Sequence, residues 1–354
     1  MTAKFKSFSK IRLYRASGLW SCATILLFLM IILNSFGCSS PKKKLDEARD
    51  LYTKGRNSYL LFNPKGAQEA IDFYEKAIDV DNNYAPAYAG LGEAYSFMGL
   101  WNEQNFVEKG SRLFKESLNY SQNALKLDQN SSVSHRALAA SYRGLGRFED
   151  ARKEAQKAIE LNPNDAEAYY ILWTVSGADP DSKYIKKALE LNPNLSIAYN
   201  DLGYIYYTKG IYDKAGDNLN RALEANPELI QAHVNLGLAL ATRKRLKESE
   251  EQFRTAIKLN PDYLLGHYNL GIVLANQGNY DEAISEFEKA IEINPEFPEP
   301  HIALAFAYES KGDNDEAVKQ YNKFIGLASS DKNKYEKIVA EAKNRIKKIN
   351  SNGG

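Results

Sequence analysis

The apolar positions between residues 45 and 328 follow the spacing of amphipathic helices that come in pairs. The segment from 264 to 295 places small and apolar residues on one face of a first helix, at His267, Leu270, Gly271 and Leu274. Gly278 follows this helix and permits the left-handed turn that ends it. Pro295 stops a second helix because proline cannot continue one. The pattern therefore predicts a helix–turn–helix in this segment.

The same pair recurs along the chain. Asn-Pro occurs at residues 162–163, 192–193, 226–227, 260–261 and 294–295, and the prolines are 30, 34, 34 and 34 residues apart. A Leu-Gly pair opens several of these units, as at Leu236-Gly237. One such pair of helices cannot bury its own apolar face, whereas stacked neighbours can. The pattern resembles the tetratricopeptide repeat (TPR) family, and the resemblance implies an all-α, right-handed α-solenoid.

The resemblance predicts about eight repeats over residues 45–329. We number them 1 to 8, with expected bounds 45–82, 83–129, 130–163, 164–193, 194–227, 228–261, 262–295 and 296–329. Residues 330–350 then carry an apolar face at helical spacing, with lysines between, at Tyr335, Ile338, Ala342, Ile346 and Ile349. This segment is predicted to be a capping helix that covers the last repeat.

Two repeats depart from the regular pattern. Repeat 2 holds thirteen extra residues between Gly99 and Ser117, including Trp101 and Phe106, and we expect them to lengthen its second helix or to form a surface bulge. Repeat 4 is four residues shorter, and Trp173 stands where other repeats have Gly or Ala. A bulky indole at this position should push the two helices apart and kink the stack.

The first 37 residues differ in composition from the rest of the chain. They contain five basic and no acidic residues, and an apolar run from Leu19 to Leu33 follows the last basic residue, Arg15. This run is short for a membrane span, which needs about 20 apolar residues. The order of basic, apolar and small residues is typical of an export signal. We therefore expect residues 1–37 to be a signal peptide or a membrane anchor.

Gly37-Cys38 closes this segment and resembles the lipobox of bacterial lipoproteins, in which the cysteine becomes the lipidated first residue of the mature chain. The resemblance implies a lipid on Cys38 and a short linker over 38–44. Ser39 and Ser40 follow with no Asp after the cysteine, a pattern that resembles outer-membrane lipoproteins facing the periplasm. Two alternatives remain: an uncleaved anchor in the inner membrane, held by the apolar helix, and an ordinary cleaved signal.

Charge and cysteine content exclude several classes of protein. The chain has 46 Lys and Arg against 45 Asp and Glu, a formal net charge of +1, so no overall positive charge favours nucleic acid. Two cysteines, Cys22 and Cys38, exclude a disulfide framework. Two cysteines and four histidines also leave little material for a metal cluster. We therefore expect no nucleic-acid partner, no metal and no cofactor.

The histidines share one repeated position. His135, His233, His267 and His301 each lie three residues before the leucine of a first helix, where other repeats have tyrosine. Ligands of one metal must converge on it, whereas stacked repeats space these residues about one repeat apart, so we interpret the position as a packing site. The chain also lacks H-E-x-x-H, a Gly-Lys-Ser/Thr phosphate loop and G-x-S-x-G. The sequence therefore predicts a protein that is not an enzyme.

A second stripe on the first helices is the candidate binding surface. In the TPR family the first helices line a concave groove that holds extended or helical peptides. Here the stripe is apolar and rich in tyrosine in the carboxy-terminal repeats and more polar in repeats 2 and 3. Exposed apolar area and tyrosine both favour interaction sites, although part of the stripe could instead contact the adjacent repeat. The residues predicted to line the groove are Tyr204, Tyr207, Val234, Leu238, Leu265, Tyr268, Ile272, Ile302 and Phe306.

These patterns predict an interaction scaffold of the bacterial cell envelope that binds a protein or peptide segment in the groove. The architecture is similar to that of lipoproteins that assist the assembly of envelope, pilus or secretion complexes. Tyrosine-rich grooves also stack on sugars. The alternative is therefore a glycan- or peptidoglycan-associated protein that regulates a cell-wall enzyme.

Overall fold

The computed structural model describes residues 40–104 and 110–352. Residues 1–46 and 47–354 form two separate contact units, and only the last seven residues of the first unit are described. The expected signal segment, Cys38 and Phe106 lie outside the described residues. None of the helices in the described ranges is both long and apolar enough to cross a bilayer.

Within these ranges the chain forms 17 α-helices and no strand, which makes it an all-α solenoid. The helices are α1 Pro41–Tyr59, α2 Pro64–Val80, α3 Ala85–Gln104, α4 Ser111–Leu127, α5 Ser132–Gly144, α6 Phe148–Leu161, α7 Ala166–Thr174, α8 Lys183–Leu191, α9 Ser196–Thr208, α10 Tyr212–Ala225, α11 Ile230–Thr242, α12 Leu246–Leu259, α13 Leu264–Asn276, α14 Tyr280–Ile293, α15 Pro298–Lys311, α16 Asn314–Ala328 and α17 Lys332–Asn352. A 3₁₀ turn, Ser329–Asp331, precedes α17.

Two helices fall within each expected repeat, with α17 after the last one. The exception is α1, which begins at Pro41, so that residues 41–44 form a helical turn and not the linker expected there. The first helices of neighbouring repeats contact one another, as in α3–α5, α9–α11, α11–α13 and α13–α15. From repeat 5 to repeat 8 the first helices therefore form a continuous layer, and that layer carries the predicted groove residues.

The Asn-Pro pairs end five second helices with the same turn. In each, the asparagine N–H donates to the carbonyl of the alanine four residues earlier, as from Asn260 to Ala256. The asparagine side-chain oxygen then accepts the N–H of the residue two positions later, as at Asp262. The same bonds recur at Asn162, Asn192, Asn226 and Asn294. Such Asx turns hold the chain as it leaves one repeat for the next.

Glycines on the first helices let the second helices approach closely. A Cβ on Gly237 would lie 2.8 Å from the ring of Phe253, and a Cβ on Gly271 would lie 2.6 Å from the ring of Phe287. Both rings are almost completely buried. The glycine of the Leu-Gly pair therefore marks where the second helix packs closely, on an aromatic ring in repeats 6 and 7 and on Leu219 in repeat 5.

The extra residues of repeat 2 lengthen both of its helices. The second helix, α4, has 17 residues against 14 in α10, α12 and α14. The larger extension is in the first helix: α3 has 20 residues, whereas α9, α11 and α13 have 13 each. The sequence analysis did not expect this extension, which carries Trp101 into the interior, where it is only 4% exposed.

Both helices of repeat 4, which carries Trp173, are short. Both α7 and α8 have nine residues. Trp173 lies fully buried among Tyr170, Ile185 and Leu195, and its indole N–H donates to the carbonyl of Asp179 at 2.7 Å. The indole therefore packs as a core residue of the short repeat.

Candidate binding surface of the first helices

The turn between α1 and α2 and the end of α3 lie against repeats 5 to 7. Phe62, in that turn, is buried among apolar side chains of repeats 5 and 6: Leu219, Ala222, Leu229 and Leu236. The carbonyl of Leu61 accepts a hydrogen bond from Asn226 Nδ2 at 2.8 Å. The rings of Trp101 and Tyr263 have centroids 5.4 Å apart. The face of the first helices that was expected to form an open groove is thus partly covered by the chain's own residues.

Three of the predicted groove residues are covered by other parts of the chain. Val234 and Ile302 are 5% and 7% exposed. Val234 belongs to the cluster that contains Trp101, and Ile302 packs into the cluster that joins repeat 8 to α17. Phe306 is half-buried, and the guanidinium of Arg345, from α17, lies 4.6 Å from its ring centroid. These three side chains therefore contribute to packing within the chain.

Leu265 and Tyr268 lie deeper than the sequence pattern indicates. Both are half-buried, and they pack against the cluster around Phe297, the residue that precedes repeat 8's first helix. The ring of Tyr268 is 6.2 Å from the rings of both Phe287 and Phe297. Burial raises the pKa of Tyr268 to about 12. Tyr268 therefore bridges repeats 7 and 8, with only part of its ring accessible.

The remaining predicted residues form a partly accessible strip, which we call the tyrosine surface: Tyr204, Tyr207, Leu238 and Ile272, with Tyr212 beside them. Tyr204 is 48% exposed, and its ring lies 6.4 Å from that of Tyr207, which lies 6.1 Å from that of Tyr212. Leu238 and Ile272 are half-buried against the cluster that contains Trp101, and Tyr207 is half-buried against the cluster that contains Phe62. Tyr204, Leu238 and Ile272 are 34 residues apart, so they occupy the same position on adjacent first helices. The strip therefore runs across repeats 5, 6 and 7.

The matching face of repeats 1 to 4 is a buried network of charges. Glu93 accepts hydrogen bonds from Arg56 at 2.7 Å and from Arg136 at 2.6 Å. Arg136 also donates to both carboxylate oxygens of Asp165 at 3.0 Å, and Arg56 pairs with Glu167. The sequence analysis predicted a more polar stripe in repeats 2 and 3 but missed the network, because its members come from four different helices and the loop before α7. These charges bind one another rather than a partner.

Asp165 joins this network to the start of α7. Its Oδ1 accepts the N–H of Ala168 at 3.0 Å, which makes it the N-cap of that helix, and its Oδ2 accepts the hydroxyl of Ser132 at 2.8 Å. Burial acts to raise the pKa of Asp165, but the charge of Arg136 and these hydrogen bonds outweigh it, so the pKa lies below its usual value. The folded protein therefore favours the ionised carboxylate.

The four histidines each connect a loop to a second helix. His267 Nδ1 lies 2.6 Å from Glu286 Oε2, and its Nε2 lies 2.8 Å from the carbonyl oxygen of Pro261. The other histidines repeat this arrangement with Glu154, Gln252 and Gln320. Nowhere in residues 40–104 and 110–352 do three or more His, Cys, Asp or Glu side chains come together as metal ligands. The repeated position holds the repeats together through hydrogen bonds as well as packing.

Family profiles match the chain at six places. The tetratricopeptide repeat profiles match residues 133–165, 184–217, 230–263, 253–285 and 298–331, and a profile described as TPR repeat matches 273–312. These matches include the tyrosine surface, the four histidines, and Arg136 and Asp165 of the charge network, whereas Arg56 and Glu93 lie before the first match. A search of the curated proteins found no significant match.

Solved structures share the fold at low sequence identity. The crystal structure of the APC/C hetero-tetramer Cut9–Hcn1 is similar over 92% of this chain, with 16% identity and a TM-score of 0.62, and the match spans 58% of that chain. A monomeric IFIT1 mutant with Gppp-AAAA is similar over 78% of this chain and 70% of that one, with 18% identity and a TM-score of 0.56. Together with the profile matches and the stacked helix pairs, this likeness shows that the chain is a tetratricopeptide repeat protein.

Proposed function

We propose that this protein is a non-enzymatic scaffold that binds a protein segment on the tyrosine surface of repeats 5 to 7. The observation that carries the proposal is Tyr204, a large aromatic residue that is 48% exposed on a layer of helices that the chain itself partly covers. Tyrosine supplies rigid area with an apolar body and a polar end, which suits protein interfaces. TPR proteins as a family bind protein or peptide partners.

The dimensions of the surface favour an extended or helical segment. Packed helices lie about 8–10 Å apart, so the three first helices that carry Tyr204, Leu238 and Ile272 span about 20 Å from axis to axis. About six residues of extended chain cover that distance. Apolar side chains of the partner would lie against Leu238 and Ile272, while polar groups would reach the hydroxyls of Tyr204 and Tyr207.

The proposal places this scaffold at the bacterial cell envelope, held by lipid on Cys38 and facing the periplasm from the outer membrane. The order of basic residues, apolar run and Gly37-Cys38 supports this location. A cysteine with more than one acyl chain is held stably, whereas a single chain gives only marginal binding. The location suits a role in assembling an envelope, pilus or secretion complex. An inner-membrane signal anchor is the alternative.

Photo-crosslinking in intact cells tests the binding surface. A benzophenone amino acid replaces Tyr204 in one strain and Phe148 in the control strain. Phe148 is a suitable control because it is also large and exposed, at 54%, but lies at the start of the second helix of repeat 3, away from the proposed surface. We expect discrete protein adducts at position 204 and none of the same size at position 148. Equal adducts at both positions, or none at 204, would overturn the proposal. Retention of the protein on a glycan column, lost in Tyr204→Ala, would favour the glycan-binding alternative.

A further inference from the structure

A cavity of about 290 Å³ lies inside the solenoid, between the first helices of repeats 2 to 6 and the turn that joins α1 to α2. Its volume lies just below the range of about 300–1,000 Å³ that is typical of small-molecule sites. The tyrosine surface contributes no residue to its lining. The cavity is therefore separate from the surface proposed to bind a protein segment.

One wall of the cavity is aromatic. It consists of Tyr59, Phe62, Phe97, Leu100 and Trp101. The rings of Phe62 and Phe97 are 6.3 Å apart, and those of Phe97 and Trp101 are 6.2 Å apart. These contacts fix the rings against one another, so the wall presents a preformed apolar surface to whatever fills the cavity.

The opposite wall is polar, and most of its groups are already satisfied. Tyr170 donates to Asp201 Oδ2 at 2.6 Å, and Asn200 Nδ2 donates to Asp201 Oδ1 at 3.0 Å. Asn235 Nδ2 donates to Asn200 Oδ1 at 2.9 Å. Glu167 lines the cavity as well and pairs with Arg56. These bonds hold the polar wall in place.

Two polar atoms on this wall are buried without a hydrogen-bond partner: Arg143 Nε and Gln231 Oε1. Arg143 Nη1 donates to Thr174 Oγ1 at 3.3 Å, and its guanidinium carbon lies 5.8 Å from the ring centroid of Tyr170. Its charge also acts on the buried Tyr170 and Asp201 side chains, but within the described ranges it forms no direct ion pair with a carboxylate. Arg56 and Arg136, by contrast, each pair with two or more carboxylates. A buried donor and a buried acceptor left unpaired are costly in a native protein unless something binds them.

The charge around the cavity limits what that ligand can be. Three arginines, Arg56, Arg136 and Arg143, lie near three carboxylates of the charge network, Glu93, Asp165 and Glu167. Burial raises the pKa of the fourth carboxyl group, Asp201, and so disfavours its charged form. The charges around the cavity therefore nearly balance, which favours a ligand without net charge that offers an acceptor to Arg143 Nε. A carboxylate suits the guanidinium because the two groups can form parallel hydrogen bonds. A positively charged or neutral donor on the same ligand suits Gln231 Oε1 and the nearby Glu167.

We propose that the cavity binds a free α-amino acid with an apolar side chain. The carboxylate accepts hydrogen bonds from Arg143 Nε, the ammonium group donates to Gln231 Oε1, and the side chain packs against Phe97 and Trp101. Because the aromatic wall comes from repeats 1 and 2 and Gln231 from repeat 6, the ligand would also strengthen the contact between these repeats. This site is additional to the surface proposed to bind a protein segment.

Calorimetric titration of the full chain tests the proposal with defined probes. The probes are L-leucine and L-phenylalanine. Two analogues of leucine accompany them: 3-methylbutylamine, which lacks the carboxylate, and 4-methylpentanoate, which lacks the amine. We expect at least one amino acid to bind and to raise the melting temperature, since a ligand of the folded state stabilises it. Each leucine analogue should bind at least tenfold more weakly. Failure of both amino acids to bind would overturn the proposal.

Variants test the assigned contacts. Arg143→Gln and Gln231→Leu should each weaken amino-acid binding at least tenfold, while Arg147→Gln should bind like the wild type. Arg147 is a suitable control because it lies near Arg143 in sequence but is half-exposed, pairs with Asp150 and does not line the cavity. Circular dichroism shows which of the two cavity variants is folded. If a folded variant binds the amino acid with wild-type affinity, the proposal is overturned. Crosslinked adducts at position 204 test the binding of a protein segment independently of amino-acid binding in the cavity. Either proposal can therefore fail without the other.

Discussion

Trp101 and Tyr263 pack ring against ring, with centroids 5.4 Å apart, although they belong to the second and seventh repeats. In repeat proteins each unit normally contacts only its neighbours, so stability is close to a sum of local terms. This contact, with the hydrogen bond from Asn226 to Leu61, adds a direct connection between distant repeats. Both ends of the stack should therefore respond to a change at one of them.

We expect Trp101→Ala to lower the free energy of unfolding by about 3–5 kcal/mol, because it removes a buried aromatic side chain and leaves a cavity. Urea denaturation followed by circular dichroism measures this loss. The control is Phe148→Ala, which removes an exposed aromatic residue and should change stability by about 0.5 kcal/mol or less. Equal losses in the two variants would show that the packing of Trp101 contributes nothing specific.

Two glycines should respond to alanine with opposite signs. In Gly237→Ala the new Cβ would lie 2.8 Å from the ring of Phe253, so the helix pair must shift, and we expect a loss of about 1–3 kcal/mol. In Gly216→Ala, in the middle of α10, the Cβ would meet no atom within 4 Å, and we expect a gain of about 0.5–1 kcal/mol from helix propensity. Thermal or urea unfolding distinguishes them, and a stabilised Gly237→Ala would contradict the predicted close contact.

The charge network should make stability depend on pH in a defined direction. The folded-state pKa of Asp165 lies below its unfolded value, which is about 3.9. Its contribution is therefore fully present above about pH 4 and is lost as the pH falls through the folded pKa. Asp165→Asn keeps a residue that can cap α7 but removes the charge, so we expect it to be less stable by about 1–3 kcal/mol at pH 6.

The measurement is urea unfolding of both proteins from pH 6 to pH 3. The difference between wild type and Asp165→Asn should shrink as the pH falls below about 4. A difference that stays constant over this range would contradict the assigned charge interaction with Arg136.

Cys38→Ala tests the proposed anchor. If Cys38 carries the lipid, the variant should incorporate no labelled fatty acid in cells. Cys22→Ala, within the apolar run, should be labelled like the wild type. Equal labelling of Cys38→Ala and the wild type would show that the lipid is not attached at Cys38.

The sequence by itself determined the helix pairs, because their signals are local. The Asn-Pro pairs end helices through bonds within a few residues, as from Asn260 to Ala256 and Asp262. The offset from Gly237 to Phe253 lies within one hairpin. A period of 34 residues then specifies that each hairpin packs on the next. The predicted groove residue Tyr204 is accessible for the same reason: it lies on a face that its own hairpin does not bury.

Only the tertiary structure decided which part of that face stays open. Val234 is buried in the cluster that contains Trp101, and Ile302 and Phe306 pack against α17. Whether a side chain contacts a residue several repeats away depends on the small rotations between successive repeats. Their combined effect is not encoded in any local sequence pattern. The charge network and the cavity beside Arg143 arise in the same way. Their members come from separate repeats that only the accumulated curvature of the stack brings together.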